Sequence, residues 1–166
     1  MPDKKQSILM GALVVGILST SYLSLINLLC CLGVIAGALV AVWHYTDTNE
    51  LTIPTGTGAG LGAMAALGGA LIALVLNLVL IQLGIRHDVA VTEFMLNSFG
   101  DSMPPEQVEA MEAQIDAPFA FGTYMINALV GFAVSAIFGA IGGAIGAKVF
   151  KKGGDEPTEL DVIEEL

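Results

Sequence analysis

The sequence predicts an all-α polytopic membrane protein with four transmembrane helices and amphipathic helices in an outer loop. Three observations carry this. The 166 residues are 55% hydrophobic and only 13% charged, with a mean hydropathy of +0.78. Soluble domains carry about 25% charged residues, so an ordinary soluble enzyme, a nucleic-acid binder and a disordered chain are excluded. Apolar stretches occupy about 8–26, 28–45, 57–84 and 118–149, each close to or above the roughly 17–25 residues that span a bilayer as a helix. Basic residues gather at the two ends of the apolar region: Lys4 and Lys5 at one, Lys148, Lys151 and Lys152 at the other.

The first stretch follows Lys4 and Lys5 as a signal peptide would. Its apolar core is longer than the roughly 7–15 residues of such a segment, and no A-x-A site follows. It reads as a retained helix. Asn27 then sits in a very tight turn, because the first two stretches together are too long for one crossing. The adjacent Cys30 and Cys31 are too strained a pair for a disulfide and lack partners for zinc. They pack as small apolar residues, with lipidation the lesser alternative. Trp43 and Tyr45 close the second span as interface anchors.

The third span begins in the glycine-rich run Gly56 to Gly62. This run lacks the Lys-Ser/Thr of a phosphate loop and leads into an apolar helix. Between the third and fourth spans, residues 85–117 form an outer loop whose one basic residue is Arg86. Asp88 suits the cap of a helix over Val89–Phe99, with Val91, Phe94, Met95 and Phe99 on its apolar side. Gly100-Asp101-Ser102 ends it. Pro104 and Pro105 suit a second helix start, with Glu106 and Glu109 at its positive end. Such helices lie on a membrane or cap a bundle. An even number of spans puts both termini on one side. The basic ends make that side cytoplasmic.

Residues 1–152 thus form the transmembrane domain, and 153–166 an acidic cytoplasmic tail. A short helix presenting Leu160, Ile163 and Leu166 fits that tail, though a solvated tail is the simpler reading. The net charge of −10 lies in loops and tails, with a pI of about 4.3. It reads as a solvated acidic surface before it reads as adaptation to salt.

Small residues recur every four positions, which places them on one helix face and lets backbones approach closely. The stripes are Ala12, Gly16, Thr20 and Ser24; Gly33, Gly37 and Ala41; Gly58, Gly62, Ala66 and Ala70; and Gly131, Ser135, Gly139 and Gly143. Gly142 and Gly146 give the fourth helix a second small face with room for an oligomer contact. Polar residues collect toward the outer side: Ser19, Thr20, Asn27, Asn77, Gln82, Thr123 and Asn127. They suit either a polar vestibule, closed at the cytoplasmic end, or hydrogen bonds between helices, the second being the simpler.

No ionisable residue lies deep in a span, as proton relays and voltage sensors require. His44 with Asp47 and Glu50 is a loose cluster at an interface, and no triad is evident. The expected function is therefore non-enzymatic, without cofactor, metal or nucleic acid. The expected partners are membrane lipid, further copies of the chain or other membrane subunits. A small uncoupled channel or facilitator is the alternative.

The four-span layout, the long outer segment, the stretch Ser-Met-Pro-Pro-Glu-Gln-Val-Glu-Ala-Met at 102–111 and the stop at Lys151-Lys152 resemble the bacterial membrane proteins grouped as domain-of-unknown-function family 4199. The resemblance covers nearly the whole chain. It implies a bacterial cytoplasmic (inner) membrane location and a four-helix fold, and it brings no catalytic residues.

Overall fold

The structure, a computed structural model, describes residues 2–20, 23, 27, 31–117 and 119–155, with only the backbone of 87 and 88. Among these residues the protein is all-helical apart from two very short strands. The elements are α1 (Lys5–Leu18), α2 (Leu32–Asn49), β1 (Leu51–Thr52), α3 (Thr55–Gln82), α4 (His87–Phe99), a 3₁₀ turn (Gly100–Ser102), α5 (Pro105–Asp116), α6 (Phe121–Val149) and β2 (Gly154–Asp155).

Two of these helices, α3 and α6, are long and apolar enough to cross a membrane. Their 28 and 29 residues extend about 42 Å at 1.5 Å per residue, against a hydrocarbon core of about 30 Å. The first two expected spans correspond to helices that do not meet that length and composition among the described residues. α1 has 14 residues, or about 21 Å. It stops at Ser19-Thr20, where the Thr20 hydroxyl donates back to the Gly16 carbonyl at 2.6 Å, a local bond that competes with helix continuation. α2 has 18 residues, but its last turns from His44 to Asn49 are polar. Ser21, Ser24, Cys30 and the tail from 156 onward lie outside the described residues.

The helix ends follow from the sequence. Pro54 supplies the extended backbone before α3. α3 ends in a Schellman turn, with Gly84 at φ +82° and Ile85 N–H donating to the Leu80 carbonyl at 2.9 Å. α5 begins with Pro105 in its first turn, as expected. α4 begins two residues earlier than expected: Arg86, not Asp88, stands at its N-cap.

α1, α2, α6 and α3 form a ring in which each packs on its two neighbours, with α2 and α3 also touching across the short diagonal. The α3–α6 seam is built from backbone. A Cβ added at Gly139 would stand 2.6 Å from the Gly62 carbonyl oxygen, and one at Gly58 would stand 2.6 Å from Ala147 Cβ. Gly62 and Gly143 are as tightly enclosed, by Gly139 and Gly58 respectively. The α1–α2 seam repeats the device, with Gly11 2.6 Å from the Gly37 carbonyl by the same measure. Gly16 meets Ile72, and Gly33 meets Leu18 and Asn27.

Two expectations about packing are corrected. Gly131 has nothing within 4 Å of its Cβ position, and Ser135 is half-buried beside a cavity. The α6 stripe is therefore used in its inner half alone, because α6 diverges from α3 beyond Gly139. The second small face of α6 is not left for another chain. Gly142 lies against Ile35 and Ala38, and Gly146 against Val42, all on α2.

The first and last described segments of the chain meet at the same end of the bundle. Val42, Tyr45, Ile53, Leu61 and Ala147 form a buried apolar plug there, with Ile8, Leu51 and Phe150 packed on it. β1 and β2 pair in parallel, Leu51 with Gly154 and Thr52 with Asp155. Lys152 bridges Asp47 at 2.6 Å. The hydrogen bond and charge of Asp47 hold the Lys152 ammonium above the usual lysine range. A raised lysine pKa means the contribution is complete at neutral pH and fades only as pH rises through that raised value. The pair is exposed, so it adds little.

The glycine seam gives a direct prediction. Gly62→Leu forces a side chain into the Gly139 backbone and destabilises the protein by about 3 kcal/mol, the upper end of overpacking costs. Gly60→Leu, two residues away with open space around it, leaves the melting temperature in detergent nearly unchanged.

Candidate functional site: a blind polar groove

Where α6 leaves α3 the bundle opens. A cavity of about 300 Å³ lies there, lined by Ser19 of the α1 end, Ala70, Ala73, Leu74 and Asn77 of α3, and a face of α6 from Tyr124 to Ser135. Small side chains on both helices make the volume. The same alanines and glycines that permit contact further in leave a gap once the axes diverge.

The polar lining is ordered from one corner. Asn27 donates through Nδ2 to Ser19 Oγ at 3.0 Å, and its Oδ1 accepts from Gly33 N–H at 3.0 Å. The second bond satisfies one of the donors left open at the start of α2. It supports Cys31, which takes φ +55° at the N-cap and packs on the core of Val15, Val34 and Ala66. Asn77, 6% exposed, donates through Nδ2 to the Ser19 carbonyl at 3.5 Å. The amides at 27 and 77 therefore bond across helices. Asn127 differs: it is exposed and makes no hydrogen bond among the described residues.

Of the expected vestibule residues, Ser19, Asn77 and Asn127 line the groove. Asn27 supports Ser19 from behind. Thr20 bonds its own helix, and Gln82 is exposed at the end of α3. Thr123 lines a second cavity of about 240 Å³ nearer the α4–α5 end, with Arg86, Gln114, Ala117 and Phe119. Tyr124 and Asn127 border both spaces. Tyr124 and Phe132 were not anticipated as lining. Their signal was available: on α6 Tyr124 stands one turn before Asn127, and Phe132 one turn before Ser135.

The groove is blind. Its inner limit is the glycine seam, and beyond that lies the apolar plug of Tyr45 and Leu61. His44 Nδ1 shares a 2.9 Å hydrogen bond with Ser7 Oγ, and Asp47 is engaged by Lys152. No grouping of three His, Cys, Asp or Glu suited to a metal occurs among the described residues.

No protein-family model matches the chain, and no curated protein or solved structure is similar to it.

The closed inner end predicts one-sided access. With Cys30 and Cys31 replaced by alanine, Asn127→Cys in vesicles reacts with a membrane-impermeant maleimide added at the α4–α5 end. It does not react when the reagent is confined to the end bearing the termini.

Proposed function

We propose that the chain is a non-enzymatic integral membrane protein of four crossings, a structural or accessory subunit that receives a partner's membrane helix along the outer half of α6. The observation that carries this is the half-used stripe. Asn127, Gly131, Ser135, Gly139 and Gly143 follow one another at intervals of four on α6. The last two meet the backbone of α3, whereas Gly131 meets nothing. Small residues next to a side-chain amide are what a membrane helix needs to accept another closely. A side-chain amide at membrane depth without a protein partner is unfavourable, and an incoming helix offering a polar group gives it one.

The membrane reading draws on α3 and α6, whose length and composition fit a bilayer. α1 and α2, with 14 and 18 residues, supply the other two crossings of this reading. The grouping of Lys4, Lys148 and Lys152 with both chain ends at one end of the bundle supports cytoplasmic termini in a bacterial inner membrane. The resemblance to family 4199 belongs to the same proposal.

A groove lined by hydroxyls and amides also suits a small uncoupled facilitator. That reading requires the plug around Tyr45 and Leu61 to open, and maleimide access to Asn127→Cys from both ends would favour it.

Native mass spectrometry after gentle extraction tests the subunit reading. The parent chain is expected in a complex, with copies of itself or with another membrane protein. Gly131→Leu is expected to run as a folded monomer with the parent's melting temperature. A parent that is monomeric in its own membrane extract, or a Gly131→Leu variant that assembles normally, contradicts the reading.

A further inference from the structure

α4 and α5 are not part of the bundle. They pack on each other and make no extensive contact with α1, α2, α3 or α6. Residues 83–86 join α3 to α4, and residues 117–120 join α5 to α6. The two links are tied together, with Arg86 Nη1 donating to the Ala117 carbonyl at 2.8 Å. The hairpin is therefore clamped by its base to the outer ends of the two helices long enough to cross a membrane. Links this short keep it at the level where those helices leave the hydrocarbon.

Its exposed surface carries both apolar and acidic side chains. Phe94 and Phe99 of α4 are 44% and 55% exposed. Leu83, Ile85 and Phe121 at the base are also exposed. Val79 of α3 and Ile126 of α6 are exposed as well. Glu106, Glu109, Glu112 and Asp116 of α5 are exposed as well. In water, two large exposed phenylalanines on a 13-residue helix are a liability. At the boundary between headgroups and acyl chains they are an anchor.

We propose that the α4–α5 hairpin lies in the outer headgroup layer of the bilayer, with Phe94 and Phe99 dipping into the acyl boundary and the α5 carboxylates in water. This rests on α3 and α6 being membrane crossings. The partner surface is zwitterionic lipid. Four exposed carboxylates on α5 repel an anionic leaflet, so apolar burial drives the contact and salt leaves it unchanged.

The test uses the full chain in phosphatidylcholine vesicles with Trp43→Phe, so that one introduced tryptophan reports. Val75→Trp marks the lipid face of α3, Phe99→Trp the hairpin's apolar side, and Glu109→Trp its acidic side. Spin-labelled lipids carry the quencher at a shallow or a deep acyl position, and acrylamide reports water. The expected result is deep-lipid quenching of the Val75→Trp signal, shallow-lipid quenching of Phe99→Trp, and acrylamide quenching of Glu109→Trp. Lipid quenching at position 75 with acrylamide quenching alone at position 99 overturns the hairpin proposal and leaves the membrane reading intact. Shielding of position 99 from both quenchers also overturns it, in favour of a covering protein. Absence of lipid quenching at position 75 overturns the membrane reading itself.

Discussion

The structure depends on one steric constraint: the α3 and α6 backbones touch at Gly58, Gly62, Gly139 and Gly143. In lipid there is no hydrophobic gain from bringing two apolar helices together, because the surroundings are as apolar as the partner. What remains is close packing of atoms, and glycine provides it by letting one helix's carbonyls rest on the other's Cα atoms. The seam occupies the inner half of both helices. It determines where they meet, and so where they separate.

That separation produces the groove. Beyond Gly139 the α6 positions facing α3 are Ser135, Gly131 and Asn127, and none closes the gap. The α1–α2 corner supplies its polar side through Asn27, which holds Ser19 with one end of its amide and the first turn of α2 with the other. At the opposite end the bundle is dry and tied, with buried Tyr45 and Val42 inside and the Lys152–Asp47 pair and the β1–β2 pairing outside. A rigid closed end and a loose open end are consequences of the same stripe of residues. On the proposed reading, the open end is where a second membrane helix would find both space and an amide to bond. The hairpin lies beside it, clamped through Arg86 and Ala117.

Much of this was legible in the sequence, for physical reasons. Length and hydropathy identified α3 and α6, because a helix long and apolar enough to cross a membrane leaves a long uninterrupted signal. The period-four residues identified Gly58, Gly62, Gly139 and Gly143 as packing positions. The amide positions pointed to Ser19, Asn77 and Asn127 as neighbours. A period, however, does not state how far along a helix its partner stays in contact. Gly131 and Gly139 are equivalent in the sequence and opposite in the structure, because helix divergence is set by the whole bundle. For the same reason Gly142 and Gly146, which read as a face for another chain, are covered by α2 of the same chain. Gly11 and Gly69 fell outside the chosen stripes, yet both sit in tight seams with Gly37 and Val15. The turn chemistry at Ser19-Thr20, which ends α1 at Leu18, is a competition between local hydrogen bonds that hydropathy does not register.

The most direct measurement is the distance between spin labels at Gly60→Cys and Ile145→Cys, on the open faces beside the seam, in lipid nanodiscs with the native cysteines replaced. The parent background is expected to give one short, narrow distribution, and Gly131→Leu to leave it unchanged. Gly139→Leu is expected to lengthen and broaden it as the two backbones are pushed apart. A distribution that stays short and narrow with Gly139→Leu would contradict the dependence of the fold on backbone contact between α3 and α6.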